Sequence, residues 1–150
     1  MKKRLVGLAI ALAAVLYVGM GQRSAPSPDT SALSPSSVQQ GQDAIRAAFA
    51  QRRSGLQVLG EGRVVKLLPD DNDGSRHQRF LIELPGGPTL LVAHNIDLAP
   101  RLDALQQGDT VAFHGVYEWN AKGGVIHWTH HDPRGQHPAG WLKHQGQTVQ

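Results

Sequence analysis

The feature that most limits what this chain can fold into is a change of hydrophobic period at Gly55. Before it, "SVQQGQDAIRAAFAQRRSG" (37–55) places Val38, Ile45, Ala48 and Phe49 on one face at helical spacing. Ser37 is a suitable N-cap, Arg52 and Arg53 fall in the last turn, and Gly55 fits the C′ position. Gly41 weakens the first turn, so the secure helix is expected from Asp43. After Gly55 the repeat shortens to two. "HQRFLIELPGG" (77–87) puts Phe80, Ile82 and Leu84 on one side, and such alternation is the mark of a half-buried strand.

Five strands are predicted. The first, 56–69, carries Gly60 and Gly62, and glycines inside a strand suggest a bend or bulge. Strands are expected next within 77–87, 88–96, 110–120 and 125–132. "DDNDGS" (70–75) is a turn; it resembles the start of a calcium loop, but Leu81 stands where the twelfth-position Glu would be needed. "DLAPRLDALQQGD" (97–109) is expected to be a short helix capped by Asp97 and closed at Gly108. The fold class expected is therefore mainly β with one or two short helices: a small five-stranded OB-like barrel preceded by an N-terminal helix, over residues 38–150. A half-open β-sandwich is the alternative.

Residues 1–21 are of another kind. "MKKR" is a positive n-region and residues 5–21 are an unbroken apolar run, the pattern of a signal peptide or N-terminal membrane anchor. By the positive-inside rule, the chain beyond residue 21 is then exported to the periplasm. It would be free there, or anchored to the inner membrane through residues 5–21 if these are not cleaved. Residues 22–37, rich in Ser and Pro, read as a disordered linker. The chain has no cysteine, which removes disulfides, thiolate metal sites and lipid attachment at an N-terminal cysteine. Its basic character is confined to the leader. After residue 21 twelve Lys and Arg face twelve Asp and Glu, so nucleic acid is not favoured as a partner. All eight His lie between 77 and 144, and mild acidity would make the exported part cationic.

Four stretches carry the chemistry: "RHQRF" (76–80), "AHNIDLAPR" (93–101), "GDTVAFHGVYEWN" (108–120) and "GGVIHWTHHDP" (123–133). Together they resemble the signature of a bacterial domain-of-unknown-function family of short exported proteins, over about residues 40–150. The resemblance implies no particular activity.

From the residues themselves, Arg76, His77 and Arg79 at the mouth of the second strand suit an anion, because guanidinium presents a planar fork to phosphate or carboxylate. The bland reading pairs them with Asp70, Asp71, Asp73 or Glu83. His94 and Asn95 end a strand just before the expected helix, with Arg101 one turn further, another anion-binding arrangement. If Trp119 pairs with Val125 across the turn, His114 lies opposite His130. Glu118 and Asp132 then share their face, while His127 and His131 fall on the other. Opposed imidazoles with a carboxylate make His114, His130 and Asp132 candidate ligands for a divalent metal such as zinc. A one-residue slip would reshuffle these sets. The bland reading is that these His are strand residues bonded to backbone or water. Trp119, Trp128 and Tyr117 form a candidate stacking platform for bases or sugars, with one or two of them expected in the core instead. No GxSxG nucleophile motif or HExxH zinc motif is present. Two functions compete: a binding module with a His/Arg-rich polar site for an anionic small ligand, envelope polymer or protein partner, and a metal-assisted hydrolase acting as a phosphodiesterase or nuclease.

Overall fold

The computed structural model describes residues 33–150; the leader and most of the Ser/Pro segment lie outside the described residues. Helix α1 (Pro35–Gln51) starts earlier than its hydrophobic stripe indicates. Ser34, not Ser37, is the N-cap: its Oγ accepts from the Ser37 N–H, and Pro35 occupies the first turn, where its missing N–H costs nothing. The helix buries Gln42, Ile45 and Ala48. Gly41, which weakens the helix in isolation, sits where α1 crosses a strand backbone. A Cβ there would lie 1.6 Å from the Leu59 carbonyl oxygen, so the residue is small because the chains touch.

Seven strands come after the helix: β1 (Leu56–Asp71), β2 (His77–Glu83), β3 (Thr89–Asn95), β4 (Thr110–Glu118), β5 (Val125–His127), β6 (Trp141–His144) and β7 (Gln147–Val149). β1 is long enough to serve two neighbours. Leu56–Arg63 pairs with β4 and Arg63–Asp71 with β2. β2 pairs with β3, β3 runs parallel to β5, and β5 returns to β4. The five pairings close a circuit, β1–β2–β3–β5–β4–β1, the connectivity expected of the OB-like arrangement. The two glycines of β1 permit this sharing: Gly60 faces the Phe113 ring and Gly62 faces Ile82 at distances where no Cβ would fit without movement. The register irregularities of the β1–β2 pair fall beyond them, between Val64 and Lys66 and between Leu68 and Asp71. Inside the circuit lie Val64, Phe80, Ile82, Leu90, Val92, Phe113, Tyr117 and Ile126, all fully buried. The tail, which offered only Trp141 and Leu142 as anchors, forms the β6–β7 hairpin and buries Leu142 and Val149.

Four local expectations are corrected. Residues 97–109 form turns rather than a helix. The Gln78 side chain, reaching in from β2, accepts from Leu102 N–H (2.9 Å) and donates to Leu102 O (3.0 Å). Those bonds satisfy groups that a helix would otherwise pair, and Pro100 has no N–H to offer. Asp97 is not a helix cap. Its carboxylate accepts from the backbone N–H and Nε of Arg76.

The fifth strand stops at His127 because Trp128 adopts a left-handed backbone (φ 54°). The β4–β5 register is also shifted by one from the expected pairing: Glu118 faces Val125, Tyr117 faces Ile126 and Val116 faces His127. Trp119 leaves the ladder to give its N–H to Ser54 Oγ, and Asn120 Oδ1 accepts from Lys122 and Gly124. Gly124 (φ 114°) packs against the Tyr117 ring, where a Cβ would come within 2.3 Å. The register therefore places Tyr117 and Ile126 inside together.

Candidate functional site

The slip decides which residues meet. His114 and His130 do not face each other; His114 pairs across to Leu59 and Trp141, while His130 lies past the end of β5. His114 is held structurally, its Nδ1 donating to Ala139 O (3.0 Å) and its Nε2 accepting from Gln57 (3.2 Å). Asp132 spends its carboxylate on the N–H groups of Arg134, Gln136 and His137, organising a loop. These bonds, that of Arg134 foremost, hold its carboxyl below the ordinary range. Among the described residues no three His, Asp or Glu side chains converge to hold a metal ion, so the expected His114, His130, Asp132 ligand set is not assembled.

The anion candidates divide as well. Arg76 is paired with Asp97 (2.7 Å), and Arg101 with Asp70 and Asp103. His94 is fully buried. Its Nε2 donates to Pro100 O (3.0 Å), which leaves Nδ1 to accept from Thr129 Oγ1 (2.8 Å). Burial, partly opposed by the Pro100 carbonyl, drives its pKa down to about 4. It is a neutral tie between β3, the loop after β3 and residue 129.

What the fold does bring together lies on the outer face of β2, β3, β5 and β4. Alternation turns His77, Arg79 and Leu81 of β2 outward, opposite Asn95, Ala93 and Leu91 of β3. The shifted register adds Glu118 and His127 to this face. Three cavities lie on it, of about 260, 360 and 310 Å³. The first two share His77, Ala93 and His127, and the last two share Leu91, so they form one groove with β3 along its floor. From Thr89 to Asn95 it runs about 20 Å at some 3.3 Å per residue.

One end of the groove is walled by Trp128 and His130. Trp128 stacks on His137 with ring centroids 4.0 Å apart, and His130 lies 5.5 Å away. The far end is bounded by Asn120 and Lys122. Hydrogen-bonding capacity points into this space. His77 donates Nδ1–H to Ser75 O and retains Nε2; Arg79 gives Nε–H to Pro69 O and retains its terminal nitrogens. His127 Nε2 is buried with no hydrogen bond, 3.5 Å from Glu118 Oε1. Burial lowers the His127 pKa, against the opposing pull of Glu118.

A separate hollow of about 330 Å³ lies at the other end of the β1–β2 pair, where the opposed charges of Arg63 and Glu83 are spent on each other (2.9 Å).

Of the sequence candidates, His77, Arg79, Asn95, Glu118 and His130 thus line the groove or its rim, and Arg76, His94, Arg101, His114 and Asp132 serve the scaffold. Of the aromatic platform candidates Trp128 lines the groove while Tyr117 is fully buried, and His127, expected on the opposite face, is a groove residue. The signal for His127 was present in the short turn before β5, but the register needed to read it depends on Ser54.

A helix leading into a closed circuit of five strands, with a long polar-walled groove on its outer face, defines a small, mainly β domain. The chain belongs to the family described as protein of unknown function DUF3465, whose family model matches residues 30–150. No curated protein matches the sequence.

Proposed function

We propose that this protein is an exported binding module whose outer groove takes an extended envelope polymer. The leader pattern supports export. The observation that carries the binding reading is the continuity of three cavities along β3, each joined to the next by shared residues. A compact anionic ligand would need the arginines converging on one point, but Arg76 and Arg101 are already ion-paired. A groove with an apolar floor at Leu81, Leu91 and Val125 and polar walls suits a chain lying lengthwise. The hydrolase alternative has less support, since the expected metal ligand set is not assembled and the groove offers one carboxylate–imidazole pair, Glu118 and His127.

The test uses the full chain against three immobilised polymers: a neutral glycan, a polyuronate and single-stranded DNA. At least one is expected to bind. Leu91→Arg, which plants a long cation on the groove floor, should weaken that binding about tenfold or more, equivalent to ~1.4 kcal/mol. Its melting temperature should stay close to that of the wild type, because Leu91 is outside the core. Binding unaffected by Leu91→Arg would refute the groove. Cleavage of the bound polymer, lost in Glu118→Gln, would favour the hydrolase instead.

A further inference from the structure

We infer that the groove's ligand is a neutral polyhydroxylated chain, a linear glycan, with a sugar ring seated beside Trp128. This rests on the binding reading above and narrows it to one chemistry.

The charge balance of the groove comes first. Its fixed charges are Arg79 and Lys122 against Asp71 and Glu118, two of each sign. A phosphate or carboxylate polymer is held by a stripe of unopposed cations, and two carboxylates along the track would repel it. A neutral chain meets no such penalty. The hydrogen-bonding groups are the second observation. Among the described residues, His77 Nε2, the terminal nitrogens of Arg79, and the Nδ2 groups of Asn95 and Asn120 have no hydrogen-bond partner. Asn95 Oδ1 is used by Asp97 N–H, and Asn120 Oδ1 by Lys122 and Gly124. Together they mix donors with an imidazole acceptor, because His77 gives its Nδ1–H to Ser75 O and leaves Nε2 to accept. Hydroxyl groups both donate and accept, and match such a mixture at each step along the chain.

The third observation counts against the commonest alternative for a long groove on a sheet. A peptide joins a sheet by adding a strand to a free edge. The floor strand β3 is paired to β2 along its whole length and to β5 at Leu91 and Val92, so at most its last residues, Ala93 to Asn95, present an open edge, too short for an added strand along the groove. Finally, Trp128 holds a left-handed backbone, sparsely populated for a bulky residue, and is braced by His137 at 4.0 Å. A braced indole at the end of a hydrogen-bonding lane is a platform for the C–H face of a sugar ring.

The experiment is calorimetric titration of the full chain with linear neutral oligosaccharides of increasing length, both plain hexose and N-acetylhexosamine series. An oligouronate and an oligo-dT of matched length are run beside them. Affinity for at least one neutral series should rise with length and level off once the groove is filled. Trp128→Ala should cost that series about tenfold or more, while Trp128→Phe, which keeps an aromatic face, should stay within a few-fold of wild type. Binding of the uronate or oligo-dT in preference to every neutral series would overturn the glycan assignment and leave the groove reading standing. Neutral binding indifferent to Trp128→Ala would overturn the assignment too. No binding by any probe would overturn both.

Discussion

Gly41→Ala is expected to destabilise the protein by about 2 kcal/mol or more. Helix propensity alone gives the opposite sign, since Ala is favoured over Gly in a helix interior by about 1 kcal/mol. Against that stands the crossing of α1 over β1. The new methyl carbon would lie 1.6 Å from the Leu59 carbonyl oxygen and 2.7 Å from its carbon, and neither is a side chain that can swing away. The helix must back off, and Ile45 and Ala48, 0% and 1% exposed, lose contacts as it does. Overpacking of this kind costs about 1–3 kcal/mol even where side chains can adjust; between two backbones it belongs at the upper end, about 3 kcal/mol. The net exceeds the propensity gain and is a large share of a domain's usual ~5–15 kcal/mol. Urea unfolding measures it directly. A midpoint that rises in Gly41→Ala would mean that α1 does not rest on Leu59.

The second large effect belongs to His94. His94→Ala should cost about 3 kcal/mol, through a cavity at a fully buried site and the loss of a partner for Pro100 O and Thr129 Oγ1. The same residue makes stability depend on pH. Burial disfavours the charged ring and lowers its pKa from 6.5 to about 4 in the folded protein. The unfolded chain therefore binds the proton more readily. The His94 contribution is fully present above pH 6.5, falls as pH drops through the window down to about 4, and amounts to roughly 3 kcal/mol across it. Comparing unfolding midpoints of wild type and His94→Leu at pH 7 and pH 4 isolates the contribution. The gap between the two proteins should be wide at pH 7 and nearly closed at pH 4. A gap independent of pH would show that His94 is not the buried neutral tie described.

The parts of the fold that were legible in the sequence are those fixed by local pattern. Phe80, Ile82 and Leu84 announce β2 by alternation, and the glycines of the first strand announce the bend that lets β1 serve both β2 and β4. The parts that were not legible depend on residues distant in the chain. Residues 97–109 carry helix-like signals, but the amide of Gln78 takes both backbone groups of Leu102 and substitutes for a helical ladder. The last hairpin turns on Trp119 N–H bonding to Ser54, and no inspection of residues 110–132 alone reveals that partner. Its consequence for the site was direct. With a period of two, one step of register moves His127 to the groove face beside Glu118 and separates His114 from His130. The β2 and β3 candidates escaped this error because their facing is set by alternation along each strand.

The groove is tested most directly by recording backbone amide resonances of the full chain while it is titrated with the neutral oligosaccharide series. Shifts are expected to concentrate along the outer face, at Leu91, Ala93, Asn95, His127 and Trp128. Amides around Arg63 and Glu83, at the other end of the β1–β2 pair, should stay still. Shifts confined to the Arg63–Glu83 hollow, with the β3 floor unmoved, would contradict a ligand site on this face.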